Sequence, residues 1–166
     1  MEMLGKLVAT SIGGAHSLLG NRAELKRDIH ADATVVVVRN NNPLKFLPDS
    51  QAAKTQMLRK KMPGFMGPVE ALEDAFADLA AHQKCVKAGM EGAVAEALKQ
   101  LSPETIQENH RGNPLTAVLP PLRKAALWDQ YRKQHAALAK ATSSDFHSVL
   151  GDAFLAAYER KLDTLE

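Results

Sequence analysis

Asn40-Asn41-Asn42-Pro43-Leu44-Lys45-Phe46-Leu47-Pro48-Asp49 interrupts a chain that otherwise reads as helix. Its two prolines fix two φ angles and remove two backbone donors. Asn42 and Leu47 each precede a proline and are steered out of the helical region. The asparagine side chains bond to nearby backbone and tolerate unusual φ values. Leu44 and Phe46 are apolar and resist staying in water. An extended strip with apolar teeth and amide anchors is either stapled to a helical body or presented to a partner. A buried amide left without a partner costs about 1–3 kcal/mol. Asn41 and Asn42 are therefore either exposed or fully bonded, and His82 and Gln83 on the long helix that follows are the expected anchors.

The sequence on either side is helical in pattern. Met3, Leu4, Leu7, Val8, Ile12, His16, Leu18 and Leu19 keep three-to-four spacing, which predicts a helix from Met3 to about Ile29. Gly13-Gly14 predict a close helix contact or a kink within it. Thr34-Val35-Val36-Val37-Val38 is the one strand-like run, expected to be an extended covering segment because one strand makes no sheet. Asp49 or Ser50 caps a helix to about Lys60, and Met62 to Gly67 forms a turn-rich connector.

Pro68 suits a first helical turn. From there Val69, Leu72, Phe76, Leu79, Val86, Met90, Val94, Ala97, Leu98 and Leu101 draw one apolar stripe over more than 30 residues, about 50 Å of helix. That stripe is expected to face the core, with Gly89 and Gly92 admitting a close neighbour. Ser102-Pro103-Glu104 starts a short helix, residues 109–116 form a loop, and Pro120-Pro121 open a helix to about Ala141. Thr142-Ser143-Ser144-Asp145 cap the last one. The expectation is an all-α fold: a single helical domain, residues 1–166, of five to seven helices around one long central helix, with the Asn/Pro strip packed on it.

The totals narrow the function classes. The 166 residues carry 21 basic and 19 acidic side chains, a formal net charge of +2, with the basic ones scattered rather than gathered on one face. That argues against a dedicated nucleic-acid surface, leaving nucleic acid or another anionic ligand as the rival reading. A single cysteine, Cys85, excludes an internal disulfide framework and a Cys-rich zinc site. No run approaches the ~20 apolar residues of a membrane span, and the N-terminus lacks the basic region of a signal peptide. A cytoplasmic protein without direct membrane insertion is expected.

Glu70, Asp74, Asp78 and His82 fall four apart on the long helix, but no Glu precedes a His by three as helical carboxylate metal sites require. They read as a solvated acidic flank near a helix start, where negative charge is favoured. His82 and Cys85 are three apart, yet the thiol lies by the apolar stripe, as an inert packed cysteine does. The six histidines never fall three or four apart, so no metal, cofactor or catalytic residue is expected. Trp128 and Tyr131 beside Arg132 and Lys133 read as core aromatics with a basic outer edge.

Taken together, Asn41-Asn42-Pro43-Leu44-Lys45-Phe46 with Pro48-Asp49, Pro63-Gly64-Phe65, Pro68-Val69-Glu70-Ala71, His82-Gln83, Ala88-Gly89-Met90, Leu119-Pro120, Trp128, Tyr131, Asp145-Phe146 and Ala157-Tyr158-Glu159 resemble the C-terminal domain of the FHA-domain proteins of type VI secretion. The resemblance covers about residues 18–160. It implies a bacterial accessory protein that helps assemble and regulate the secretion machine by docking its protein components. It supplies no catalytic residue. Full-length members carry an N-terminal FHA domain that reads phosphothreonine. Such a β-sandwich needs about 100 residues of short strands, so that domain is absent from these residues and phosphothreonine binding is carried to none of them. A fragment of a longer protein is favoured over a stand-alone version. Asn41, Asn42, Pro43, Leu44, Lys45, Phe46, His82 and Gln83 are the candidate signature, as partner surface or as staple, with the staple favoured.

Overall fold

Side-chain caps at Asn42, Asp49 and Ser102 set three of the helix starts. The computed structural model describes residues 1–29, 40–59, 62–110, 120–144 and 150–165. The strand-like run at 34–38, the basic pair Lys60-Lys61, most of the loop at 109–116, and Asp145-Phe146 lie outside the described residues. Within them the protein is all-α, and the residues fall into two compact units, Met1–Cys85 with Leu162–Glu166, and Val86–Lys161.

In the first unit α1 (Glu2–Asp28) is one uninterrupted helix, with Glu2 in its first turn and Lys26 and Arg27 in its last, each matching the helix dipole. Gly13 and Gly14 do not break it, and a Cβ on either would meet nothing within 4 Å among the described residues. A one-turn helix, α2 (Pro43–Phe46), follows Asn42, and α3 (Ser50–Leu58) follows Asp49, whose carboxylate accepts from the Ala52 N–H at 2.7 Å. The first half of α4 (Pro68–Gln100) completes the unit. Ile12, Ala15 and Leu19 of α1, Leu44 of α2, Ala53 and Met57 of α3, and Ala71 and Ala75 of α4 form its core. Gln56 is buried as well: its amide donates to the Met62 carbonyl and accepts from the Met62 N–H, which pins the connector to α3.

The strip at 40–49 is therefore not extended throughout. Pro43 sits at the first helical position, where its missing N–H costs nothing. Asn42, in extended geometry, caps the turn by accepting from the Leu44 N–H at 2.8 Å. A proline preceded by asparagine is the start signal of a helix as much as the mark of an extended chain.

In the second unit the rest of α4 is joined by α5 (Pro103–Glu108), α6 (Pro120–Ser144) and α7 (Asp152–Asp163). Ser102 caps α5 through the Thr105 N–H. Residues 142–144 continue α6 rather than capping the next helix. Gly89 and Gly92 admit α7: a Cβ at Gly89 would lie 2.7 Å from the Phe154 ring, and one at Gly92 2.6 Å from the Ala157 Cβ.

Only part of the large apolar stripe of α4 faces the core: Leu72 and Leu79 pack against it, partly buried. Val69, Phe76, Met90, Val94 and Leu98 are each more than half exposed, whereas Ala71, Ala75, Cys85, Gly89 and Ala93 are buried. Both sets repeat at helical spacing and lie on opposite sides of the helix. The small residues turn inward because they let neighbouring backbone come close, as α7 does at Gly92.

Candidate functional site

The strip is joined to α4 rung by rung. Asn40 takes a left-handed backbone, φ 63, tolerable for asparagine, and its amide donates to Glu70 at 3.2 Å. Asn41 forms a parallel bridge with Phe65: its N–H donates to the Gly64 carbonyl at 2.9 Å and its carbonyl accepts from the Met66 N–H at 3.0 Å. The Asn42 amide donates to the Ala71 carbonyl and to the Asp74 carboxylate, both at 2.7 Å. Lys45 Nζ lies 2.9 Å from Asp74 and 3.0 Å from Asp78, and Arg22 of α1 donates to Asp78 at 2.8 Å.

Glu70, Asp74 and Asp78 are thus the receptor for the strip, not a solvated flank. Acids at four-residue spacing lie one above another on a helix. They meet Asn40, Asn42 and Lys45 in that order. The place a metal would take between Asp74 and Asp78 is held by the Lys45 ammonium. Among the described residues no three His, Cys, Asp or Glu side chains gather as a metal site requires.

The expected anchors His82 and Gln83 do not hold Asn42. Gln83 is exposed, and Ala71 and Asp74 take the Asn42 amide two to three turns earlier on α4. His82, half-buried, sits further along the acidic face, near Arg22 and Lys26. Desolvation by burial, then the Arg22 and Lys26 charges, lower its pKa from the ordinary 6.5, with Asp78 opposing. Burial alone would raise Asp74. The Asn42 hydrogen bond, the Lys45 hydrogen bond and charge, and Arg22 together outweigh that and bring it below the ordinary 3.8. Cys85 is fully buried, the position of a packed side chain and not of a nucleophile open to substrate.

Pro43 and Leu44 are buried in the first unit's interior. Phe46 is only half-buried. With Leu47 and Pro48 it borders a cleft of about 460 Å³ against α1, lined there by His16, Leu19 and Arg27 among others. His16 Nε2 donates to the Leu47 carbonyl at 3.1 Å, tying the end of the strip to α1.

A second group lies on α6, and the reading of Trp128 as a core aromatic is overturned, while Tyr131 is partly buried. Trp128 is 60% exposed. It stacks on Tyr131 with ring centroids 5.4 Å apart, and Tyr131 in turn meets His135 at 6.0 Å. The i, i+4 spacing of Lys124, Trp128 and Arg132 was the signal available in the sequence. Two cations flanking the ring on one helical face mark that face as the solvent side.

Among the described residues no helix is long and apolar enough to cross a membrane. No curated protein and no solved structure matches the chain. One family model does match, over residues 1–161, taking in α1 from its first turn and both helical units. With that match covering nearly the whole chain, the protein belongs to the family described as the C-terminal domain of type VI secretion system FHA proteins.

Proposed function

We propose that this chain is a non-catalytic protein-interaction domain, a scaffold that supports assembly and regulation of the type VI secretion system from the cytoplasmic side. The family match over residues 1–161 carries the reading. The large apolar side chains that α4 and α6 leave in solvent support it, since exposed apolar surface of this kind is typical of docking sites. The family signature at Asn41–Phe46 acts in this reading as a staple that shapes the first unit: the Asn42 amide and Lys45 are taken up by α4, the Asn41 amide by the Gly64 carbonyl of the connector, and Phe46 is left half-buried at a surface.

The test is affinity capture from a lysate of a type VI-positive bacterium, with the bound proteins identified by mass spectrometry. Enrichment of secretion-machine components over a folded control domain is the expected result. A folded domain that enriches none of them, and whose deletion leaves secretion intact, would sink the proposal.

A further inference from the structure

The α5–α6 cleft of the second unit has a chemistry of its own. It encloses about 350 Å³, and its walls are Leu101, Pro103, Ile106, Leu127, Trp128 and Tyr131, with Gln107 and Lys124 the polar side chains that reach it. That volume accommodates one or two large apolar side chains. Trp128, at its edge, is the chain's single tryptophan. An exposed tryptophan at the mouth of an apolar cleft is the composition of an interface anchor point.

The surroundings are cationic. Along Pro120–Ser144 there are five basic residues against one acid, Asp129. Arg123, Lys124, Arg132 and Lys133 are exposed and form no ion pair with any described residue. Lys124, Trp128 and Arg132 follow at i, i+4 and i+8, so cation, aromatic ring and cation stand on one face of the helix.

We propose that this cleft docks an acidic amphipathic protein segment, which places a bulky apolar side chain against Leu127 and Trp128 and its carboxylates on Lys124 and Arg132. Charge complementarity selects the sign of the partner. The ring arrangement selects a protein over a single-stranded nucleic acid. Successive bases need open aromatic faces, but the Tyr131 ring is already stacked on Trp128 and tilted against His135. The aliphatic walls offer a base edge little to bond. The inference rests on the reading of the domain as an interaction module and names the kind of partner that one face would take.

Trp128 makes the site its own reporter. The whole chain is titrated with a synthetic helix-forming peptide of Leu and Glu, with its Leu/Lys counterpart, and with an oligouridylate, while tryptophan emission is followed. The Leu/Glu peptide is expected to shift the emission and to weaken with salt. Lys124→Glu with Arg132→Glu, checked for unchanged helicity, is expected to cost about tenfold or more in its affinity and to transfer the preference to the Leu/Lys peptide. Equal response to both peptides, no response to either, or tighter binding of the oligouridylate overturns the proposal. The same charge-reversed variant separates this claim from the broader one. If it captures secretion components as well as the native chain does, the cleft is not their site and the interaction reading stands. If the native chain captures none while the peptide preference persists, the cleft stands and that reading falls.

Discussion

The strip at 40–46 and the ridge on α6 are built from the same ingredients, cations beside apolar side chains, and dispose of them in opposite ways. In the strip, Lys45 lies within 3.0 Å of two carboxylates and Asn42 uses both amide hydrogens within the molecule. On α6, Lys124 and Arg132 stand beside an exposed tryptophan and meet no carboxylate among the described residues. A polar pattern that satisfies itself stabilises a fold, while one left open in solvent is available to a partner. Family signature and docking surface are thus different parts of the molecule in the reading proposed above.

The largest expected effect is at Leu44, 2% exposed at the centre of the first unit's core. Leu44→Ala is expected to cost about 2–5 kcal/mol, the range for buried leucine, read from the midpoint of denaturant unfolding. A shift near zero would mean that the strip is not packed as described, and the contrast with α6 would dissolve. Next comes Asn42→Ala, which leaves the buried Leu44 N–H without its acceptor and removes the amide bonds to Ala71 and Asp74. About 1–3 kcal/mol is expected, and Asn42→Asp should not rescue it, because a second carboxylate would face Asp74.

Acid should destabilise the first unit in two stages. The folded-state pKa of His82 is lowered below 6.5. The unfolded chain therefore takes up that proton first, and stability falls as pH drops from about 6.5 through the folded value. Asp74, lowered from 3.8, contributes stability above 3.8 that is lost as pH falls through its own folded value. Melting temperature against pH should show both limbs, with His82→Gln flattening the upper and Asp74→Asn the lower. The smallest effect belongs to α6. Trp128→Ala and Lys124→Ala should each change stability by no more than about 0.5 kcal/mol, as exposed positions do. A large loss in either would make the ridge structural and erase the comparison.

Several helix boundaries were legible because Asp49, Ser102 and the prolines at 68, 103 and 120 are local signals whose meaning does not depend on distant residues, whereas Pro43 was read as extended chain and starts a helix. The inward face of α4 was not. Periodicity marks a face without saying which side it is, and Ala71, Ala75, Gly89 and Ala93 repeat as regularly as Phe76, Met90 and Val94. Reading size as burial failed at Phe76, Met90 and Val94 and held where the stripe turns inward at Leu72 and Leu79. The acidic stripe was visible at 70, 74 and 78, but its partners come from 22, 40, 42 and 45, and no spacing rule links positions that far apart. Gly92 was readable as a close contact because a glycine inside a long helix has few other justifications.

A ladder with equal rungs has no unique starting rung. Glu70, Asp74 and Asp78 recur every 1.1 helical turns, so a strip held by charge alone would have several nearly equivalent alignments a turn apart. Asn42 breaks the degeneracy: it alone demands a carboxylate and a main-chain carbonyl from the same turn, and the bridge from Asn41 to Phe65 fixes its approach. The amide acts as an address, and the lysine and acids supply the adhesion. Anyone grafting this strip onto another helix would have to carry over the amide with its capped turn, because the charges by themselves would stick without specifying where.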